Sequence, residues 1–92
     1  MPTGTATIDF GSTPSETASV VVNDAGVVSG SFIEAFFMST STVDNGTDEH
    51  EEAAALCPLV CGAIIPGVGF TITAAPIAGL GIGTFTVNWV YA

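Results

Sequence analysis

The side chains best suited to chemistry lie together in one acidic segment, residues 43–52, which holds five of the nine acidic residues and the only histidine. Clustered carboxylates repel one another unless a cation neutralises them, and hard cations such as Ca²⁺ prefer several oxygen ligands. The candidate ligands for a divalent cation are Asp44, Asp48, Glu49 and His50. The spacing is not that of an EF-hand, because Gly46 comes too early and no glutamate follows at the required offset. The alternative is a solvated acidic loop that keeps the protein soluble and holds no cofactor.

Catalysis by His50 is a second possibility, because a histidine can act as a general base. The chain contains no lysine and no arginine, and no recognisable nucleophile motif accompanies the histidine. The serines at positions 29, 31 and 39 are more simply residues at the edges of strands. We therefore predict that the protein is not an enzyme.

Cys57 and Cys61 are the only cysteines. In an extended strand their Cα atoms would lie roughly 13 Å apart, whereas a disulfide requires about 7 Å or less. A local bridge would need a sharp bend, for example at Pro58. A lone Cys-x₃-Cys pair without a second pair of ligands is also a weak zinc signal. We predict two free thiols.

The composition indicates a protein that needs partners. The 92 residues suffice for one domain, and 48% of them are hydrophobic against only 10% charged. Typical globular chains carry about 25% charged residues. Residues 53–92 carry no charged side chain at all. Because so small a domain buries its surface inefficiently, we expect a homo-oligomer, most simply a trimer, or a subunit of a larger assembly.

The net charge of −9, with no basic side chain, disfavours two classes of partner. Nucleic acids and anionic membrane surfaces are both bound through lysine and arginine. The uncharged stretch 53–69 is broken by prolines and glycines and is shorter than the ~20 residues that a membrane helix needs. The first residues lack the basic start and apolar run of a secretory signal peptide. We therefore expect no nucleic acid, no membrane and no signal peptide.

The elements that must position these residues are predicted to be mostly strands. Thr47 is expected to cap a helical turn over 48–52, limited to one turn because like charges crowd it. The turn 23–26 could close a hairpin between the strands on either side. The predicted strands, identified by β-branched or aromatic content and alternation, cover 6–10, 18–22, 31–39, 54–65, 70–73 and 84–91. Six short strands in one domain, 1–92, favour an all-β fold, an antiparallel β-sandwich or a small barrel.

The closing strand 84–91 has the cleanest alternation in the chain. One face consists of Phe85, Val87, Trp89 and Tyr91. We predict that this face fills the core or continues it across a subunit boundary. The alternative for Trp89 and Tyr91 is a platform on which a sugar ring stacks.

Several segments in order resemble a known group of proteins. They are Ile-Asp-Phe-Gly at 8–11, Ala-Ser-Val-Val-Val at 18–22, Ser-Phe-Ile-Glu-Ala-Phe at 31–36, Thr-Asp-Glu-His at 47–50, Gly-Val-Gly-Phe-Thr-Ile at 67–72 and Gly-Thr-Phe-Thr-Val-Asn-Trp-Val-Tyr at 83–91. Together these segments resemble small proteins of tailed bacteriophages that are encoded among virion genes. The similarity spans nearly the whole chain. In similar sequences a second histidine often lies near the position of Asn45, so a shared histidine-based metal site is not matched here.

The resemblance implies a non-enzymatic virion structural protein. It would be a head decoration or cement subunit, or a component of the tail or fibre. Its partners would be further copies of itself and other virion proteins, such as the major capsid protein or tail proteins. Its location would be the virion, assembled in the cytoplasm of the host bacterium. The alternative function is a receptor-binding module of the tail fibre that recognises a glycan on the host surface.

Overall fold

Six strands and one helix form the part of the chain that the computed structural model describes, residues 2–28, 30–37, 40–76 and 81–92. The elements in order are β1 (Thr3–Asp9), β2 (Ala18–Asn23), β3 (Ile33–Phe37), α1 (Thr47–Leu56), β4 (Leu59–Ile65), β5 (Gly69–Ala74) and β6 (Thr84–Tyr91). Ser29, the last two positions of the predicted third strand (38 and 39) and positions 77–80 of the loop before β6 lie outside the described residues.

The strands form two antiparallel sheets of three strands each. The strand orders are β1-β6-β3 and β2-β5-β4. The central strands, β6 and β5, therefore have neighbours on both sides, while β1, β3, β2 and β4 are edge strands. The prediction of an all-β sandwich of about six strands is confirmed.

The alternation of β6 places its larger side chains between the two sheets. Phe85, Val87, Trp89 and Tyr91 are all buried, and the four residues of β6 that alternate with them are half-buried. The rings of Trp89 and Tyr91 are stacked, with centroids 6.0 Å apart. Phe70 of the opposite sheet meets Trp89 edge-on at 5.5 Å. The shared core consists of Ile8, Phe10, Ala18, Val22, Val27, Phe37, Cys57, Phe70, Ile72, Ala74 and the four side chains of β6.

Gly4 of β1 makes room for the largest of these rings. It lies opposite Trp89 in the β1–β6 register. A Cβ atom at this position would lie 2.5 Å from Cζ2 of the indole. The close approach of β1 to the tryptophan therefore requires a residue without a side chain.

The predicted hairpin between β2 and β3 is wrong. β2 pairs with β5 and β3 pairs with β6, so the turn at 23–26 carries the chain from one sheet to the other. The turn is closed by Asp24, whose Oδ1 accepts a hydrogen bond from the Gly26 N–H at 2.9 Å. Asparagine, aspartate and glycine favour a turn whether it closes a hairpin or connects two sheets. Their presence therefore predicts the local backbone geometry but not which strands pair.

The expectation of a single helical turn followed by a strand over 54–65 is also wrong. The helix runs for 10 residues, Thr47–Leu56, and β4 begins only at Leu59. Alanine has the highest helix propensity of all residues, so the three alanines at 53–55 extend the helix beyond its acidic first turns. Pro58 then forces Cys57 into an extended conformation, with φ −127° and ψ 98°, which ends the helix. Among the described residues no helix has the length and apolarity required to cross a bilayer.

Candidate functional site

The acidic segment packs its polar side chains onto the beginning of β6. Within the described residues, the pairing of β3 with β6 ends at the Phe37–Val87 partners. Before Val87, backbone groups of Thr84 and Thr86 are hydrogen-bonded by side chains instead of being left unpaired. The side chains that meet the backbone of residues 82–86 are Thr42, Asp44, Asn45 and His50.

Three of these side chains hold Thr84. The Thr84 N–H donates to Oδ2 of Asp44 at 3.0 Å, and its hydroxyl donates to the same oxygen at 2.8 Å. The Thr84 carbonyl accepts from the hydroxyl of Thr42 and from Nδ2 of Asn45, each at 2.8 Å. Both backbone groups of Thr84 are thus bonded by side chains of one loop.

The loop approaches β6 closely because Gly83 stands beside it. Gly83 has φ +75°, in the left-handed region that favours glycine. A Cβ atom at Gly83 would lie 2.7 Å from Cβ of Asp44. Any other residue at this position would therefore strain the backbone and displace Asp44 from Thr84.

His50 is fully buried and makes two hydrogen bonds through its ring. The Thr86 N–H donates to Nε2 at 2.9 Å, so Nε2 carries no proton. Nδ1 then carries the ring proton and donates it to the Gly46 carbonyl at 3.0 Å. The ring also packs on Phe85, with centroids 5.0 Å apart. His50 is thus a buried core residue that accepts a hydrogen bond from the backbone of β6.

The four predicted cation ligands do not converge on one point among the described residues. Both ring nitrogens of His50 are bonded within the protein, and Asp44 is bonded to Thr84. Asp48 and Glu49 lie in the first turn of α1 and are exposed. The described part of the chain contains no group of three or more histidine, cysteine, aspartate or glutamate side chains placed to hold a metal ion. Through these hydrogen bonds, Asp44 and His50 connect α1 and the loop before it to β6.

Sequence reasoning singled out Asp44 and His50 but assigned them to a cation, and it missed Thr42 and Asn45 altogether. Threonine and asparagine are common in loops, so their types alone give no sign that they bond a strand. The available signal was the combination of Thr42, Asp44 and Asn45, since such side chains bond backbone groups readily. Their partner strand could not be read from this pattern.

The two cysteines are free thiols, Cys57 buried and Cys61 half-buried. Burial raises the pKa of the Cys57 thiol. Burial also raises the pKa of the Cys61 thiol, with a further contribution from the negative charge of Glu34. Raised pKa values keep the thiols protonated at neutral pH, which makes them poor nucleophiles.

Tyr91 and Asp24 form a polar contact at the other end of β6. The Tyr91 hydroxyl donates to Oδ1 of Asp24 at 2.8 Å. This hydrogen bond raises the pKa of Tyr91, and burial and the negative charge of the carboxylate act in the same direction. The contact ties β6 to the turn that follows β2, so it joins the two sheets.

A cleft of about 250 Å³ lies between α1 and the nearby end of the sandwich. Its walls are mainly apolar and include Phe10, Phe37, Leu56 and Phe85. Glu49 and Cys57 are the titratable side chains in its lining. The cleft therefore offers mainly apolar contact to whatever enters it.

Comparison with known proteins adds no relative to this description. No protein-family model matches the chain, and neither a curated protein nor a solved structure matches it.

Proposed function

We propose that this chain is a non-enzymatic structural subunit of a tailed-phage virion that associates with itself and packs on other capsid or tail proteins. The proposal rests on the virion-protein resemblance of the sequence and on what the folded chain leaves exposed. The acidic segment, which holds most of the acidic side chains and the only histidine, is hydrogen-bonded to β6 through Asp44 and His50 and stabilises the fold. What remains available to partners is an acidic surface interrupted by apolar side chains.

The observation that carries the proposal is a pair of exposed phenylalanines at one edge of the sandwich, Phe36 in the edge strand β3 and Phe32 directly before it. Phe32 is 82% exposed and Phe36 is 48% exposed. Phe32 is held in place by two backbone hydrogen bonds with Ala92, each 3.0 Å long. Aromatic side chains that are exposed in the free protein are often buried at the centre of an interface when the partner binds. We assign this edge to the contact with another virion protein.

Other exposed apolar side chains support a role in assembly. Large hydrophobic residues that are 46–98% exposed include Val21, Val28, Val43, Leu56, Val60, Ile65, Val68 and Ile82. Single exposed hydrophobic residues are normal, but so many on a 92-residue chain with few charges indicate surface that a partner covers.

The receptor-binding alternative is not favoured by any specific observation. Its candidate sugar platform was Trp89 and Tyr91, and both rings are buried in the core. Neither ring presents a face to a glycan. A glycan site would have to use other side chains.

The experiment is a virion made without this protein, by a nonsense mutation in its gene. If the protein is a structural subunit, particles made without it should fail to assemble or should lose integrity on mild heating. Particles grown in a suppressor host, which contain the protein, should survive the same treatment. A receptor-binding module predicts intact particles that fail to attach to cells, and that result would overturn the proposal.

The assigned edge is tested in the same system. Phe32→Ser combined with Phe36→Ser should leave the isolated protein folded and remove it from purified particles. Val43→Ser is the matched control, because Val43 is 98% exposed and lies in the loop before α1. Normal incorporation of the double variant would contradict the assignment of the edge.

A further inference from the structure

The sheet formed by β2, β5 and β4 carries no charged side chain on any of its three strands; we call it the charge-free sheet. Its outer face is defined by the strand register. Ser19, Thr73 and Val60 form one row across the sheet. Val21, Thr71 and Gly62 form the next row.

Apolar side chains on this face are well exposed. Val21 is 65% exposed, Val60 is 63% exposed, and Ile65 at the end of β4 is 59% exposed. Two of the hydroxyls on this face already hydrogen-bond to each other, since Ser19 Oγ lies 3.1 Å from Thr73 Oγ1. The face can therefore be covered without leaving many polar groups unpaired.

The charge distribution decides which partner fits this face. The chain has nine carboxylates and no lysine or arginine, so two copies repel each other. The outer face of the other sheet carries Asp9 and Glu34, and the exposed part of α1 carries Asp48 and Glu49. A contact between copies through either surface would bring carboxylates together without counter-charges. The charge-free sheet is a face on which two copies can meet without that cost.

We propose that the outer face of the charge-free sheet packs against the same face of a second copy of this chain. The inference deepens the proposed function, since it identifies the self-association surface of the structural subunit. A contact of one face with itself is two-fold symmetric, so it produces dimers and not the trimer expected from the composition. Two sheets packed in this way lie about 10 Å apart, with valines of one face between threonines of the other.

The size of the face makes the contact weak. Three strands of six or seven residues cover roughly 14 by 20 Å. Stable dimers bury about 800 Å² per partner, which is more than this face supplies. The dimer should therefore form at high protein concentration in solution, or where an assembly holds many copies close together.

The test is sedimentation equilibrium of the isolated protein from micromolar to millimolar concentration at physiological salt. The wild-type chain should form a reversible dimer. Val21→Glu should weaken the dimer more than about tenfold, because each copy then places a carboxylate opposite the other. Val60→Glu should do the same. Val43→Glu, on a loop, is the matched control and should dimerise like the wild type, except for its small added charge repulsion.

Salt provides a second readout. Screening weakens the long-range repulsion between the acidic copies, so dimerisation should strengthen as the salt concentration rises. A wild-type chain that is monomeric throughout, or Val21→Glu and Val43→Glu dimers of equal strength, would overturn the inference. Those results would leave the particle experiments untouched, so failure of this surface is distinguishable from failure of the proposed function.

Discussion

The Nε2 atom of His50 accepts a hydrogen bond from the backbone N–H of Thr86 at 2.9 Å. This contact joins the acidic segment to β6, the central strand of one sheet. The only histidine of the chain is therefore used as a structural acceptor. Its chemistry in this fold is hydrogen bonding to the backbone, and its environment is the core.

His50→Ala should lower the free energy of unfolding by about 2–4 kcal/mol, because it removes buried packing and leaves the Thr86 N–H without an acceptor. Urea unfolding followed by tryptophan fluorescence measures the change. Asp48→Asn is the control in the same helix; its side chain is exposed, and it should cost less than about 1 kcal/mol. Equal costs for the two variants would show that His50 does not support β6.

Calcium should leave the melting temperature unchanged at fixed ionic strength, whether the ion or a chelator is added. A ligand that binds only the folded state at a hundredfold excess over its dissociation constant would stabilise it by about 2.7 kcal/mol. No such effect is expected, because Asp44 and His50 are already bonded to β6. If calcium raised the melting temperature and Asp44→Ala abolished that rise, the protein would bind a cation through Asp44, against this prediction.

The sequence contained enough information for the sandwich and for β6, but not for the site. The alternation of Phe85, Val87, Trp89 and Tyr91 is a property of one strand, and it was sufficient to place all four inside. The bonds of Asp44 and His50 to β6 join residues 40 and 36 positions apart in the chain. Residue types within the acidic segment cannot reveal so distant a partner. The helix was predicted too short, because the like charges of its first turns indicated a single turn while the alanines at 53–55 extend it to Leu56.

Trp89→Ala should lower the free energy of unfolding by roughly 3–5 kcal/mol, as expected for truncation of a buried ring. Trp89→Phe should cost less than half as much, since no described residue hydrogen-bonds to the buried Nε1 of the indole. Thr86→Ala is the control on the opposite face of β6 and should cost far less. Thermal unfolding followed by circular dichroism compares the three. A Trp89→Ala variant that unfolds like the wild type would contradict the core placement.

Alkaline pH should destabilise the protein, and Tyr91 should account for part of the effect. The pKa of Tyr91 is raised above its unfolded value of about 10, because the hydroxyl donates to Asp24. The corresponding stability is present below about pH 10 and is lost as the pH rises through the folded pKa. The raised pKa values of Cys57 and Cys61 add a loss that begins above about pH 8.5, the usual thiol value.

Melting temperatures measured from neutral to strongly alkaline pH separate these contributions. Tyr91→Phe keeps the ring and removes the hydroxyl, so its stability should decline less steeply above about pH 10 than that of the wild type. The thiol contribution should remain in this variant. Identical alkaline profiles for the two proteins would show that the bond to Asp24 does not stabilise the fold.

The copy number of this chain in purified virions is the most direct measurement of its proposed role. Quantitative mass spectrometry of gradient-purified particles, with the major capsid protein as internal reference, gives the number per particle. A structural subunit predicts a reproducible number of copies in a constant ratio to a capsid or tail protein, retained through repeated purification. Absence of the chain from the particles, with the protein free in the lysate, would contradict the account.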